Sequence, residues 1–141
     1  MTTATPQLSA EERLSLARII TGLLNNWNIV AKDQIVLLAL PGKVRAREMK
    51  KFGEDKPFPD VPEVIERAAH LLGIADALRT TYPLNDAMGG IWMHRVNRRF
   101  QDRSPLQKML EEGLRGIIEV RIHLDCAFGW RRDAGNPDSG V

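Results

Sequence analysis

The chain has 141 residues, 43% of them hydrophobic and 27% charged, with a formal net charge of +2. That length suits one domain or two very small ones, and so small a charge does not imply nucleic-acid binding unless the basic residues cluster. No stretch approaches the ~18 consecutive apolar residues of a membrane span, and the single Cys126 allows no internal disulfide, which excludes a disulfide-stapled scaffold.

In chain order, helical periodicity dominates and no run of alternating strand residues occurs, so an all-α fold is expected. Residues 1–8, whose order is not that of a secretory signal, read as a loose start, and a cytoplasmic location is expected. Ser9 followed by Glu12 is a capping box. It opens a helix to about residue 25 with Leu16, Ile19, Ile20, Leu23, Leu24 and Trp27 at helical spacing. A second helix over 32–40 carries Ile35, Val36, Leu38 and Ala39, and Pro41-Gly42 stops it. The basic segment KVRAREMKKF, residues 43–52, reads as a short third helix, and GEDKPFPDVP as a turn or extended linker.

Asp60 and Glu63 repeat the capping signal ahead of a helical stretch with Val64, Ile65, Ala68, Leu71, Leu72, Ala75 and Leu78 on one broad face. Gly73 is a candidate break in it. A weaker helix over 84–94 is interrupted by Gly89-Gly90. Ser104-Pro105 with Gln107 is a third capping box, with proline at the first helical position, where its missing N–H costs nothing. That helix ends at Gly113. A last helix over about 114–127 is expected to bury Leu114, Ile117, Ile118, Ile122 and Leu124, and residues 131–141 read as a flexible tail.

Helix, helix, tight turn and basic helix in this order match a helix-turn-helix unit over residues 1–60. Lys43, Arg45, Arg47, Lys50 and Lys51 are then the candidate contacts to operator DNA, arginine because its fork suits guanine. The other reading is a solvated charged helix, which Glu48, Glu54 and Asp55 favour. His70, His94 and His123 have no ligand-like spacing to one another or to Cys126, so neither metal nor cofactor is expected. Cys126 reads as a small buried hydrophobe. No catalytic constellation stands out, and an enzyme is not expected.

The segment WMHRVNRRFQDRSPLQKMLEEG, residues 92–113, is the most distinctive. Trp92, Phe100, Leu106 and Met109 read as a small core, and Asn97 as the residue that ties the turn backbone. Trp92, Met93, His94, Arg95, Val96 and Asn97, then Arg98-Arg99-Phe100, Ser104-Pro105-Leu106, Gly113 and VRIHLD at 120–125 form one ordered pattern. In it the chain resembles the toxin-binding domain of Xre/MbcA/ParS-like antitoxins over residues 61–130. Val96 stands where that pattern has a proline, and Gln101-Asp102 where it has a glycine pair.

The resemblance implies an antitoxin of a type II toxin–antitoxin system. It would bind and occlude the active site of an NAD-consuming RES-type toxin and, as a homodimer within the complex, repress its own operon. It implies a helix-turn-helix-like bundle packed on a helical toxin-binding domain. Trp92, Asn97, Phe100, Ser104 and Pro105 would build the platform. Arg95, Arg98, Arg99 and Arg121 would flank the toxin, and Trp130, Arg131 and Arg132 would close its pocket, the alternative for each arginine being plain solvation. A stand-alone helix-turn-helix regulator whose C-terminal half dimerises is the competing reading.

Overall fold

A computed structural model describes residues 7–134, with side chains through Cys126. The described residues are all-α, with seven α-helices and no strand. None of these helices is long and apolar enough to cross a membrane. The chain divides into two compact units, Met1–Ala69 and His70–Val141.

The first unit opens with α1 (Ala10–Asn26), started by the expected capping box: Ser9 Oγ accepts from Glu12 N at 3.1 Å, and Glu12 Oε1 accepts from Ser9 N at 2.8 Å. Ala17, Ile20, Leu24 and Trp27 are buried, whereas Ile19 faces solvent. α2 (Ala31–Leu38) buries Gln34, Leu37 and Leu38, and Val36, expected inside, is exposed. Gln34 Nε2 donates to Asn25 Oδ1 and to the Ile29 carbonyl, both at 2.8 Å, which satisfies a buried amide and fixes the α1–α2 corner.

α2 stops two residues earlier than expected, because Ala39 takes a left-handed conformation (φ 54°) before Pro41 is reached. The expected third helix over 43–52 is also shorter. A 3₁₀ turn, Ala46–Glu48, runs into α3 (Met49–Phe52), and Lys43 and Arg45 precede both. Glu48 sets that start, since its carboxylate accepts the Arg45 backbone N–H at 2.8 Å. Met49 and Phe52 pin α3 into the core, where Phe52 meets Phe58 at 5.4 Å between ring centroids. The proline-rich linker is held along α1, with Arg13 Nη1 donating to the Phe58 carbonyl at 2.7 Å.

α4 (Pro62–Thr81) begins in the first unit, which runs to Ala69. Arg67 explains this: it donates to the Leu37 carbonyl at 3.3 Å and the Val36 carbonyl at 3.4 Å, closing the end of α2, while Glu63 holds it at 2.8 Å. Gly73 does not split α4. The guanidinium of Arg121 lies where a β-carbon would stand, 2.4 Å from that position, so the glycine is a notch for a side chain and not a break.

In the second unit α5 (Met88–His94) starts after Leu84, and the buried Gly89 and Gly90 lie inside it without interrupting it. α6 (Pro105–Glu112) has its capping box and N-terminal proline, and Gly113 ends it at φ 65°. α7 (Leu114–Ala134) runs past the expected end near Ala127, into the residues expected as tail. Its buried stripe is Ile117, Val120 and Leu124, and Ile122 is exposed. Two residues beyond Leu124, on the far side of the helix, Cys126 is exposed and not buried as expected.

Candidate interaction surfaces

In the first unit Lys43, Arg45, Arg47, Lys50 and Lys51 are all exposed, and among the described residues none carries an ion pair. Arg47, Lys50 and Lys51 stand on the seven-residue helical stretch, while Lys43 and Arg45 stand on the turn before it. The nearest carboxylate, Glu48, is already engaged. The Arg45 N–H holds it below the usual carboxylate range, helped by the charge of Lys56 at 3.9 Å. Lys56 in turn sits 4.9 Å from the centre of the Phe52 ring. The result is a basic edge on a well-anchored but very short helix.

In the second unit the segment 95–104 is a knot of short-range hydrogen bonds. Asn97 Oδ1 accepts from Arg99 N at 2.9 Å, Asn97 N donates to the Arg103 carbonyl at 3.0 Å, and the Asn97 carbonyl accepts from Phe100 N at 3.0 Å and Asp102 N at 3.2 Å. Asn97 is therefore the tie expected of it. Gln101 and Asp102 both lie in the left-handed region, at φ 57° and 61°, a conformation that disfavours most side chains. Ser104 is buried and exchanges capping bonds with Gln107 at 2.9 and 3.1 Å. Pro105 is buried beside it at the first helical position.

Phe100 is buried, but Trp92 is only half-buried, and the deep position on α5 belongs to Met93. Trp92 instead joins an aromatic cluster. It meets Phe100 edge-on at 6.4 Å and stacks on His123 at 6.4 Å and 19°, while His123 meets Phe100 at 5.1 Å. Burial pushes the His123 imidazole below its usual pKa, and the charge of Arg99 adds to this.

Beneath the cluster lies an ion network. Lys108, 5% exposed, has Nζ 2.7 Å from Glu119, 3.1 Å from Glu112 and 5.8 Å from the Phe100 ring centre. Arg103 pairs with Glu111 and Glu112, both at 2.7 Å. A cleft of about 450 Å³ opens beside this network, lined by Arg99, Phe100 and Gln101 of the turn, by Lys108, and by Glu119, Ile122 and His123 of α7.

Arg95, Arg98 and Arg99 are exposed. Arg121 is not a free surface arginine. It fills the Gly73 notch, Nη1 donates to His70 Nδ1 at 3.1 Å, and Asp125 stands 3.7 Å away. A guanidinium has no acceptor, so this bond places the His70 ring hydrogen on Nε2. Arg121 thus joins α4 to α7 while its side chain stays 38% exposed. Trp130, Arg131 and Arg132 lie on α7, with side chains outside the described residues.

Sequence reasoning missed His123 and Lys108. Lys108 carried a signal: it falls one position from the buried Met109, with Glu112 one turn on. Among the described residues no three His, Cys, Asp or Glu side chains gather as metal ligands.

No family model matches the chain, and no solved structure matches it. It is similar to the uncharacterized protein y4oB of Sinorhizobium fredii, with 33% identity over 107 residues, 76% of this chain and 79% of that protein.

Proposed function

Since the chain belongs to the family of the uncharacterized Sinorhizobium fredii protein y4oB, a name that carries no activity, we propose a function from its own residues: it is the antitoxin of an NAD-consuming, RES-type toxin. The observation that carries this reading is the turn at 95–104. The resemblance puts a glycine pair where Gln101 and Asp102 stand, and both residues are left-handed, the conformation glycine takes most readily. Left-handed backbone at the two positions where the pattern has glycines supports the resemblance. Asn97, Ser104 and Pro105 hold the turn, and Arg95, Arg98 and Arg99 project from it.

The mechanism is steric. The protein occupies the toxin's entrance and performs no reaction. Co-expression with the toxin encoded beside it should restore cellular NAD and growth. A stable, folded complex that leaves NAD falling as before would remove the reading and favour the stand-alone regulator, whose second unit dimerises.

The first unit is the proposed operator reader, as a dimer on half-sites about one helical turn apart. With Met49 and Phe52 pinned, Arg47, Lys50 and Lys51 are held in one orientation, and Lys43 and Arg45 serve the phosphates from the turn. Changing Lys43, Arg45, Arg47 and Lys50 together to alanine is expected to weaken operator binding by about tenfold or more, and to flatten its salt dependence by about one counterion per lost contact. Fluorescence anisotropy across a salt series measures both. Unchanged affinity and slope would return this edge to a solvated face.

A further inference from the structure

We propose that the cleft beside the turn docks a partner-protein segment in which carboxylates flank an apolar side chain. The inference specifies the chemistry of the partner that the antitoxin reading assigns to this unit, and rests on that reading only for the partner's identity.

Charge complementarity carries it. Among the side chains described in the second unit, which end at Cys126, every lysine or arginine outside the turn has a carboxylate. Arg79 pairs with Asp76, Arg103 with Glu111 and Glu112, Lys108 with Glu112 and Glu119, Arg115 with Glu119, and Arg121 with Asp125. Arg95, Arg98 and Arg99 have none. The exposed Asp102 on the same turn forms no ion pair with them. Three guanidiniums within five residues are left to solvent on this turn, and Arg99 among them lines the cleft with Lys108 and Glu119, which raises the positive potential at that edge.

The apolar part of the surface decides what answers that field. Ile122 is 53% exposed on the cleft wall, and Val96, between the arginines, is 60% exposed. Trp92 and His123 add stacked rings at its side. Phosphates would satisfy the arginines but leave two aliphatic side chains in water. A protein segment with an apolar residue between acidic ones satisfies both, and arginine beside aromatic surface is the composition of interface anchors.

The test uses the full chain, ¹⁵N-labelled, titrated with a synthetic peptide in which Asp and Glu flank a central Leu-Phe pair. Saturable shifts are expected at residues 95–101 and 119–123 and at the Trp92 indole, with none from the same peptide carrying Lys for Asp and Glu. Arg98→Glu with Arg99→Glu, and separately Ile122→Ser, should each weaken the peptide by about fivefold or more while keeping the remaining spectrum. The exposure of all three residues makes either variant a folded control for the other.

Absence of saturable shifts, shifts elsewhere, or unchanged affinity in both variants would overturn the proposal. So would the same shifts produced by duplex DNA, or by raising the protein concentration alone, which point to nucleic acid or to a second copy. If the peptide fails to bind while co-expression still protects NAD, the cleft is wrong and the antitoxin reading stands. If the peptide binds and NAD is unprotected, the reverse holds.

Discussion

Gly116→Ala should destabilise the second unit by about 3 kcal/mol, the upper part of the range for overpacking a close contact. Gly116 is buried on α7, one turn after the sharp corner at Gly113. A β-carbon there would stand 2.6 Å from the Lys108 carbonyl oxygen, 3.2 Å from its carbon and 3.0 Å from Glu112 Cβ. The obstacle is the backbone of α6, which cannot rotate aside as a side-chain end would. The gain of about 1 kcal/mol from replacing a helical glycine does not offset it.

Gly22 on α1 is the control: it has nothing within 4 Å of its β-carbon position, so Gly22→Ala should gain that propensity and stabilise. Urea unfolding followed by circular dichroism separates the two. Equal midpoints for Gly116→Ala and the parent chain would mean that α6 and α7 do not approach as closely as described.

Lys108→Met should cost about 1–3 kcal/mol at neutral pH, because removing a buried cation takes from Glu112 and Glu119 one of the two cations each is paired with. The cost depends on pH in a fixed direction. Hydrogen bonds from Arg103 and then Lys108 hold the Glu112 carboxyl below its usual range, and Lys108 and then Arg115 do the same for Glu119. Each depressed carboxyl contributes stability that is present above its unfolded value, roughly 4.3, and is lost as pH falls through the folded one.

For Lys108 itself burial favours the neutral form, but the hydrogen bonds it donates to Glu119 and Glu112 outweigh it and raise the pKa. Its contribution is therefore full below roughly 10.4 and is lost only as pH rises through the folded value. The parent chain and Lys108→Met should thus differ most near neutrality and converge in acid, read as urea midpoints at pH 7 and in the acid limb. Adding Glu119→Gln to Lys108→Met should recover part of the loss, since Glu112 keeps Arg103. A constant difference across the acid limb would mean that packing, not charge, is what Lys108 contributes.

Local signals were legible in the sequence, and distant partners were not. Ser9 with Glu12, Ser104 with Gln107, and the stop at Gly113 each act within four residues, and each is in place. Gly73 misled because its reason, the Arg121 guanidinium, lies far along the chain. On α7 the apolar list was right in kind but wrong in phase. Ile122 and Val120 are equally apolar, and packing against α6 selects the stripe through Ile117, Val120 and Leu124. Cys126 follows from the same phase error. The basic segment was legible as basic, but its helix was shortened by Glu48 capping from inside it.

At the turn, neither Gln101 nor Asp102 is a residue type that signals a left-handed backbone by itself, and the hydrogen bonds converging on Asn97 hold both there. His123 was unreadable for a related reason: its neighbours Trp92 and Phe100 come from α5 and the turn, and only the tertiary fold brings them together.

The notch at Gly73 also bears on the order in which the chain is made. The side chain that fills it is 48 positions downstream, and the bond from Arg121 to His70 closes a separation of 51 residues. A ribosome delivers α4 with that groove open and its His70 unengaged. Loop closure over such a separation is a late event. Synthesis at about 5–20 residues per second leaves the groove waiting for seconds. During that interval the second unit, which begins at His70, is an unfinished surface that proteases and chaperones can reach.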